Sequence, residues 1–301
     1  MCTPMRPSAQ TLLLTASALI CFAANSILCR LALAAHEIDP AAFTAIRLIS
    51  GAVVLAIIAF LRPKSPMVPF SHSLARAWIS AFLLFAYAAA FSSAYLGLNA
   101  ASGALILFGA VQVTMIAASI LTGQRPDVAQ WFGLVLAFGG LVYLVAPSLN
   151  SPPLDRALLM AIAGIAWGLY SLRAKGVADP ASATANNFLR AAPLGILLAL
   201  ATLTNIHSNA SGVIWAVMSG AITSGLGYVM WYAAVPSLGS TRAAIVQLLV
   251  PIVAAAGGVL LLGEPLNPRL AVAAALTLSG VALALRIISF KWRFPRITLI
   301  E

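Results

Sequence analysis

Apolar runs of about twenty residues follow one another along the whole chain, separated by short breaks rich in charge, proline and amide side chains. A helix needs about 20 such residues to cross the hydrocarbon core of a bilayer. The pattern predicts ten spans, at 10–33, 41–61, 74–96, 100–121, 127–146, 157–175, 182–204, 211–234, 241–262 and 268–288. Start signals support four of them. Asp39-Pro40, Asp179-Pro180 and Asn267-Pro268 each place a capping side chain before a proline at the first helical position, where the missing N–H costs nothing. Asp127 can cap the fifth span in the same way. The segment from Pro147 to Pro153 is the clear linker, with five spans on either side.

The two sides are related. The stretch from Ala94 to Val145, two helices around a turn at Thr122-Gly123-Gln124-Arg125-Pro126, recurs without a gap 140 positions later, from Ala234 to Leu285. Leu98 falls on Leu238, Gly123 on Gly263 and Gly140 on Gly280, and Asp39-Pro40 falls on Asp179-Pro180. The predicted organisation is a first five-helix repeat (1–146), a linker (147–156), a second five-helix repeat (157–288) and a basic cytoplasmic tail (289–301). An odd number of spans per repeat forces the second copy to insert upside down relative to the first. The expected fold is an all-α membrane protein with ten transmembrane helices as two inverted five-helix repeats. That architecture recurs in secondary transporters with a site near the midplane. Within it the Gly123 turn belongs in the cytoplasm and the Gly263 turn outside.

Composition excludes the soluble alternatives. The chain is 62% hydrophobic and 8% charged, with a mean hydropathy of +1.01, against about 25% charged residues in a soluble domain. A net charge of +10 would point to nucleic acid in a soluble protein; here its distribution matters more. Twelve of the 17 Lys and Arg fall on the side of the N-terminus (Arg6, Arg62, Lys64, Arg76, Arg125, Arg173, Lys175, Arg242, Arg286, Lys291, Arg293, Arg296), and three on the other (Arg30, Arg156, Arg269). The bias predicts that both termini are cytoplasmic in a bacterial-type inner membrane, with the tail after Arg286 along anionic headgroups. Arg6 and the apolar run that follows have the outline of a cleaved signal, but the helical pattern continues through Leu31, so it reads as a retained first span. Cys2, Cys21 and Cys29 have no metal-type spacing.

The chemistry is defined first by what the spans lack. Glu37, Asp39, Asp127, Asp155, Asp179, Glu264 and Glu301 all fall in loops, helix starts or the tail, as do His36, His72 and His207. No helix carries a His/Glu metal pair, a Ser-His-Asp set or a phosphate loop. The expectation is therefore no enzyme, no catalytic residue, no metal and no cofactor. Proton coupling is also disfavoured, because relays are built from buried Asp, Glu or His; Glu264 is the marginal candidate, and reads better as a turn residue. Arg47 and Arg190 are charges inside spans, and they read more readily as anchors than as anion ligands. Gln112 sits at the centre of span 4. Gln247 sits in span 9, where Pro251 frees a carbonyl and should bend the helix, a gating element. Tyr87, Phe91 and Tyr95 share one face of span 3. Trp167 and Tyr170 lie deep in span 6, and Tyr228, Trp231 and Tyr232 in the inner part of span 8. Tyr95, Trp231 and Tyr232 read as interface anchors. The remaining aromatic residues and the two glutamines make the expected substrate site: Tyr87, Phe91, Gln112, Trp167, Tyr170, Tyr228 and Gln247. Ser219, Thr223 and Gly227 form a small-residue stripe suited to close packing.

These features resemble the EamA-type members of the drug/metabolite transporter superfamily. The resemblance rests on the duplicated five-span unit, Phe43-x3-Arg47 in span 2, Trp167-Gly168 in span 6 (Phe22-Ala23 in span 1) and the turn Gly263-Glu264-Pro265 before a glycine-containing last span. In the first half the glutamate of that turn is replaced by Gln124. The resemblance implies a metabolite exporter with a cavity lined by spans 1, 3, 4, 6, 8 and 9, nearest to the branch that exports neutral and aromatic amino acids. The expected activity is alternating-access export of an amino-acid-like zwitterion across the lipid bilayer, with no nucleic-acid partner. The competing readings are an exchanger of phosphorylated metabolites or nucleotide sugars, which needs several cations at the cavity, and a non-transporting scaffold subunit, which needs no cavity.

Overall fold

The structure, a computed structural model, describes residues 8–61, 74–121, 128–146, 151–174, 179–202 and 207–284. The turn from Thr122 to Pro126, the Asp127 cap, residues 147–150 of the linker and the tail after Arg286 lie outside the described residues, as do Arg6, Arg62, Lys64 and Lys175. The described chain is almost entirely helical: α1 (Ala9–Ala34), α2 (Pro40–Leu61), α3 (Leu74–Ala94), α4 (Ala100–Leu121), α5 (Val128–Val145), α6 (Leu154–Ala174), α7 (Pro180–Ala201), α8 (Ala210–Met218), a π-helical segment (Ser219–Leu226), α9 (Gly227–Gln247), α10 (Val250–Leu262) and α11 (Pro268–Ala284). Five stretches are long and apolar enough to cross a membrane: Ala9–Ala34, Pro40–Leu61, Ala75–Ala94, Ala100–Ala118 and Ala210–Trp231. Shorter apolar helices join them at Trp131–Leu144, Val250–Leu262 and Pro268–Leu283. Helices α6 and α7 have the length, but Asp155, Arg156 and Arg173 in one and Asn186, Asn187 and Arg190 in the other dilute their apolar character.

One boundary departs from the sequence reading. Residues 235–240, expected as the loop between spans 8 and 9, are helical and belong to α9. Ser237, Gly239 and Ser240 lower the hydropathy there, but a helix bonds its own backbone groups and so tolerates polar side chains. The break instead falls at Leu248 and Leu249. Pro251 stands in the first turn of α10, where its missing N–H is one of the groups a helix start leaves unbonded anyway.

The start signals are realised in kind. Asp39 Oδ1 accepts from the backbone N–H groups of Ala41 (2.9 Å) and Ala42 (3.0 Å). Asp179 Oδ1 accepts from those of Ala181 and Ser182, both at 3.2 Å. Helix packing follows the same correspondence. Helix α2 packs on α7, α4 on α10 and α5 on α11, each pair joining counterparts of the two sequence halves. Other contacts come in couples: α3 with α6 answers α1 with α8 to α9, α4 with α6 answers α1 with α10, and α3 with α7 answers α2 with the π segment. Thr277 Oγ1 donates to the Ala137 carbonyl at 3.4 Å, between residues 140 apart. A Cβ on Gly140 would meet Thr277, and one on Gly280 would meet Ala137. Each contact is the other seen from the opposite half.

One end of the bundle is tied by Glu264. Gly263 ends α10 with φ +64°, a left-handed conformation that glycine adopts without a Cβ penalty. The turn delivers Glu264 Oε1 to Arg30 Nε on α1 at 3.1 Å and Oε2 to the N–H of Ala100, the first residue of α4, at 2.8 Å. One carboxylate thus joins α1, α4 and α10, as a capping and pairing group. The pair is partly solvated, with the two side chains 23% and 13% exposed, so the Coulomb contribution is discounted. Together with the cap, Glu264→Ala should cost about 1–2 kcal/mol, read as a lowered melting temperature of the detergent-solubilised protein. An unchanged melting temperature would show that the tie contributes nothing.

Candidate functional site

Where α1, α3, α4, α6, the π segment and α9 converge, aromatic side chains enclose a small cavity. Its lining is Phe22 and Asn25 from α1, Tyr87 and Phe91 from α3, Leu107 and Phe108 from α4, Trp167 from α6, Thr223 from the π segment and Tyr228 from α9. Trp167 is the hub. Its ring lies 4.9 Å from that of Tyr87, 5.0 Å from Tyr228, 5.5 Å from Tyr170 and 6.5 Å from Phe22, centroid to centroid. These are the offset and edge-on separations that aromatic pairs prefer. The cavity volume is about 10 Å³, room for about one water molecule. A substrate must therefore move the rings apart to occupy it.

A polar cluster borders this aromatic cage. Asn25 Oδ1 accepts from Ser219 Oγ at 2.5 Å and lies 3.2 Å from Thr223 Oγ1, whose single proton is closer to the Ser219 carbonyl at 2.8 Å. With its oxygen so engaged, the amide turns Nδ2 toward the Tyr87 hydroxyl, 3.4 Å away. Arg47, 1% exposed, donates from Nη2 to the same hydroxyl at 3.0 Å and from Nε to Ser224 Oγ at 3.2 Å. Its guanidinium carbon lies 5.1 Å from the ring centre of Tyr87 and 5.0 Å from that of Phe91, within cation–π range. The described ion pairs are Arg30–Glu264 and Arg156–Asp155; among the described residues no carboxylate pairs with Arg47.

The π segment makes this arrangement possible. Its wider turn, bonded i to i+5, carries Ser219 and Thr223 to Asn25 on α1 and Ser224 to Arg47 on α2. The segment lies against α2 at Gly220, where a Cβ would sit 2.0 Å from Ser50 Oγ and 2.2 Å from the Arg47 carbonyl oxygen. Only a residue without a side chain admits that approach.

Of the residues singled out from the sequence, Tyr87, Phe91, Trp167 and Tyr228 line the cavity. Tyr170 is buried behind Trp167, its hydroxyl accepting from Asn187 Nδ2 at 3.3 Å. Gln112 in α4 and Gln247 at the end of α9 are buried but outside the lining. Three expectations are corrected. Arg47 is not an anchor on a peripheral span but a buried partner of Tyr87. Tyr95 is fully buried against Phe91, ring centres 4.8 Å apart, and Trp231 lies edge-on to Phe22 at 5.6 Å, so neither is a membrane-interface anchor. The side chain of Tyr232 lies outside the described residues. Ser219, read with Thr223 as part of a packing stripe, also orients Asn25. Asn25 itself escaped notice, although the argument that picked out Gln112, an amide deep in an apolar span, applies to it equally. Arg190 donates to Asn186 O on its own helix at 3.1 Å, as an anchoring residue would.

The profile of the EamA-like transporter family matches residues 9–146 and 156–286. An uncharacterized protein of Pseudomonas aeruginosa is 49% identical over 279 residues, covering 93% of this chain and 96% of that one. An uncharacterized transporter of Archaeoglobus fulgidus is 24% identical over 176 residues, covering 57% of this chain and 63% of that one. One solved crystal structure matches with a TM-score of 0.65 over 92% of this chain and 97% of its own, at 18% identity, a likeness of fold alone.

Proposed function

The chain belongs to the EamA-like transporter family and is a multi-pass membrane transporter of a small molecule, and on that premise we propose that it exports neutral or aromatic amino acids, or similar small zwitterions, from the cytoplasm. The observation that carries the substrate reading is the aromatic cage around Trp167 bordered by the Asn25 cluster. Flat apolar walls with a few oriented polar groups are what a small amphiphilic ligand requires. Transport proceeds by alternating access between two inverted five-helix repeats. The pairing of α2 with α7, α4 with α10 and α5 with α11, and the reciprocal contact of Ala137 with Thr277, support that reading. The basic-loop bias of the sequence supports a bacterial-type inner membrane with both termini inside.

Among the described residues no Asp, Glu or His lines the cavity, which supports facilitated export over proton coupling. The test is efflux from proteoliposomes loaded in turn with L-phenylalanine, L-leucine, L-alanine and a nucleotide sugar, with no imposed pH gradient. The expected result is release of the amino acids, fastest for the aromatic one, and retention of the nucleotide sugar. Release that strictly requires a pH gradient would remove the uncoupled mechanism. Release of the nucleotide sugar alone would replace the amino-acid reading.

A further inference from the structure

Arg47 poses a problem that its protein partners do not solve. A guanidinium carries five N–H donors and no acceptor, and burying its charge without a counter-ion is costly. Here Nε is held by Ser224 and one donor of Nη2 by Tyr87, while Nη1 is buried with no hydrogen-bond partner among the described residues. Because Ser224 engages the Nε side, the edge formed by Nη1 and Nη2 is what remains to offer. That edge is a fork matched to the two oxygens of a carboxylate.

The Tyr87 hydroxyl marks where such an oxygen would lie. It accepts from Arg47 Nη2 and from Asn25 Nδ2 together, and Asn25 is held in the donating orientation by Ser219. Where an occupant displaces Tyr87, one of the rings that closes the cavity, both donors are released at the border of the cage, with Nη1 beside them. We infer that Arg47 and Asn25 form a carboxylate subsite, so that the transported molecule is a monocarboxylate whose flat or apolar body rests against Trp167, Phe22 and Tyr228. One cation suits one negative charge. A phosphate dianion would leave net charge buried, and an amine without a carboxylate would face Arg47 as a like charge. In a zwitterion the carboxylate is then the recognised group, while the ammonium meets no carboxylate among the lining residues and is held only at a cost.

This inference deepens the export reading and rests on the same cavity being the substrate site. It is tested on the full-length protein in lipid nanodiscs by equilibrium binding of 3-phenylpropionate, its neutral isostere 3-phenylpropionamide and 2-phenethylamine. The acid should bind about ten- to hundredfold more tightly than the amide, and the amine should show no saturable binding. Arg47→Gln should abolish the preference for the acid. Arg47→Lys, which keeps the charge but loses the fork, should weaken acid binding while leaving the acid preferred. Equal binding of acid and amide by the unmodified protein, no saturable binding of the acid up to its solubility limit, or a preference that survives in Arg47→Gln would each overturn the subsite; the first two need no variant to fold. If L-phenylalanine is not released from proteoliposomes but the preference for the acid holds, the amino-acid reading falls and the subsite stands. The converse result removes the subsite alone.

Discussion

Among the described glycines, Gly220→Ala should be the most damaging alanine substitution. The new Cβ would lie 2.0 Å from Ser50 Oγ and 2.2 Å from the Arg47 carbonyl oxygen. The hydroxyl can rotate away, but the carbonyl is helix backbone, so α2 and the π segment must separate. Overpacking of this kind costs about 1–3 kcal/mol, and more where backbone is the obstacle. We expect a large fall in melting temperature and in the yield of monodisperse protein. Gly139→Ala is the matching control. Its Cβ meets nothing within 4 Å, and alanine is the better helix former by about 0.5–1 kcal/mol, so that variant should be neutral or slightly stabilised. Equal behaviour of the two would refute the close approach of α2 to the π segment.

Trp167→Ala carries the largest expected effect on transport. Removing the hub ring takes away one wall of the cage together with its contacts to Phe22, Tyr87, Tyr170 and Tyr228. Truncating a buried tryptophan costs about 3–5 kcal/mol in a well-packed core, so stability must be measured beside flux. Efflux of L-phenylalanine should drop at least about tenfold, as a lost contact worth about 1.4 kcal/mol implies, whereas efflux of L-alanine should drop much less. Trp167→Phe, which restores a ring, should recover most of the aromatic flux. An equal loss for both amino acids in a protein of normal stability would make Trp167 a packing residue.

Depth along a helix was legible in the sequence; azimuth was not. Hydropathy and the Asp-Pro starts placed the beginnings of α2 and α7 to within a residue or two, and they marked Arg47 and Arg190 as charges inside spans. They could not tell which face each charge takes. The offset of 140 carries Arg47 to Asn187, and Asn187 donates to Tyr170 while Arg190 bonds its own helix. The aromatic cage was more accessible, because Tyr87, Phe91, Trp167 and Tyr228 are large, deep and phased on their helices. The π segment left no such trace. Its serines, threonine and glycines are ordinary small-residue packing material, and a switch from i+4 to i+5 bonding is decided by what presses on the helix from outside. The same limit explains residues 235–240, where low hydropathy imitates a loop although the backbone remains helical.

The link between Arg47 and Ser224 spans 177 residues of sequence. At a synthesis rate of about 5–20 residues per second, the arginine reaches the membrane roughly 10–35 s before its serine partner is made. Tyr87, 40 residues on, arrives within roughly 2–8 s by the same rate. For most of its biogenesis, then, the first half holds a guanidinium that its own segment cannot fully satisfy, and α2, α4 and α5 wait for neighbours not yet translated. Until the π segment is made, Arg47 lacks the Ser224 hydroxyl that holds its Nε in the finished fold.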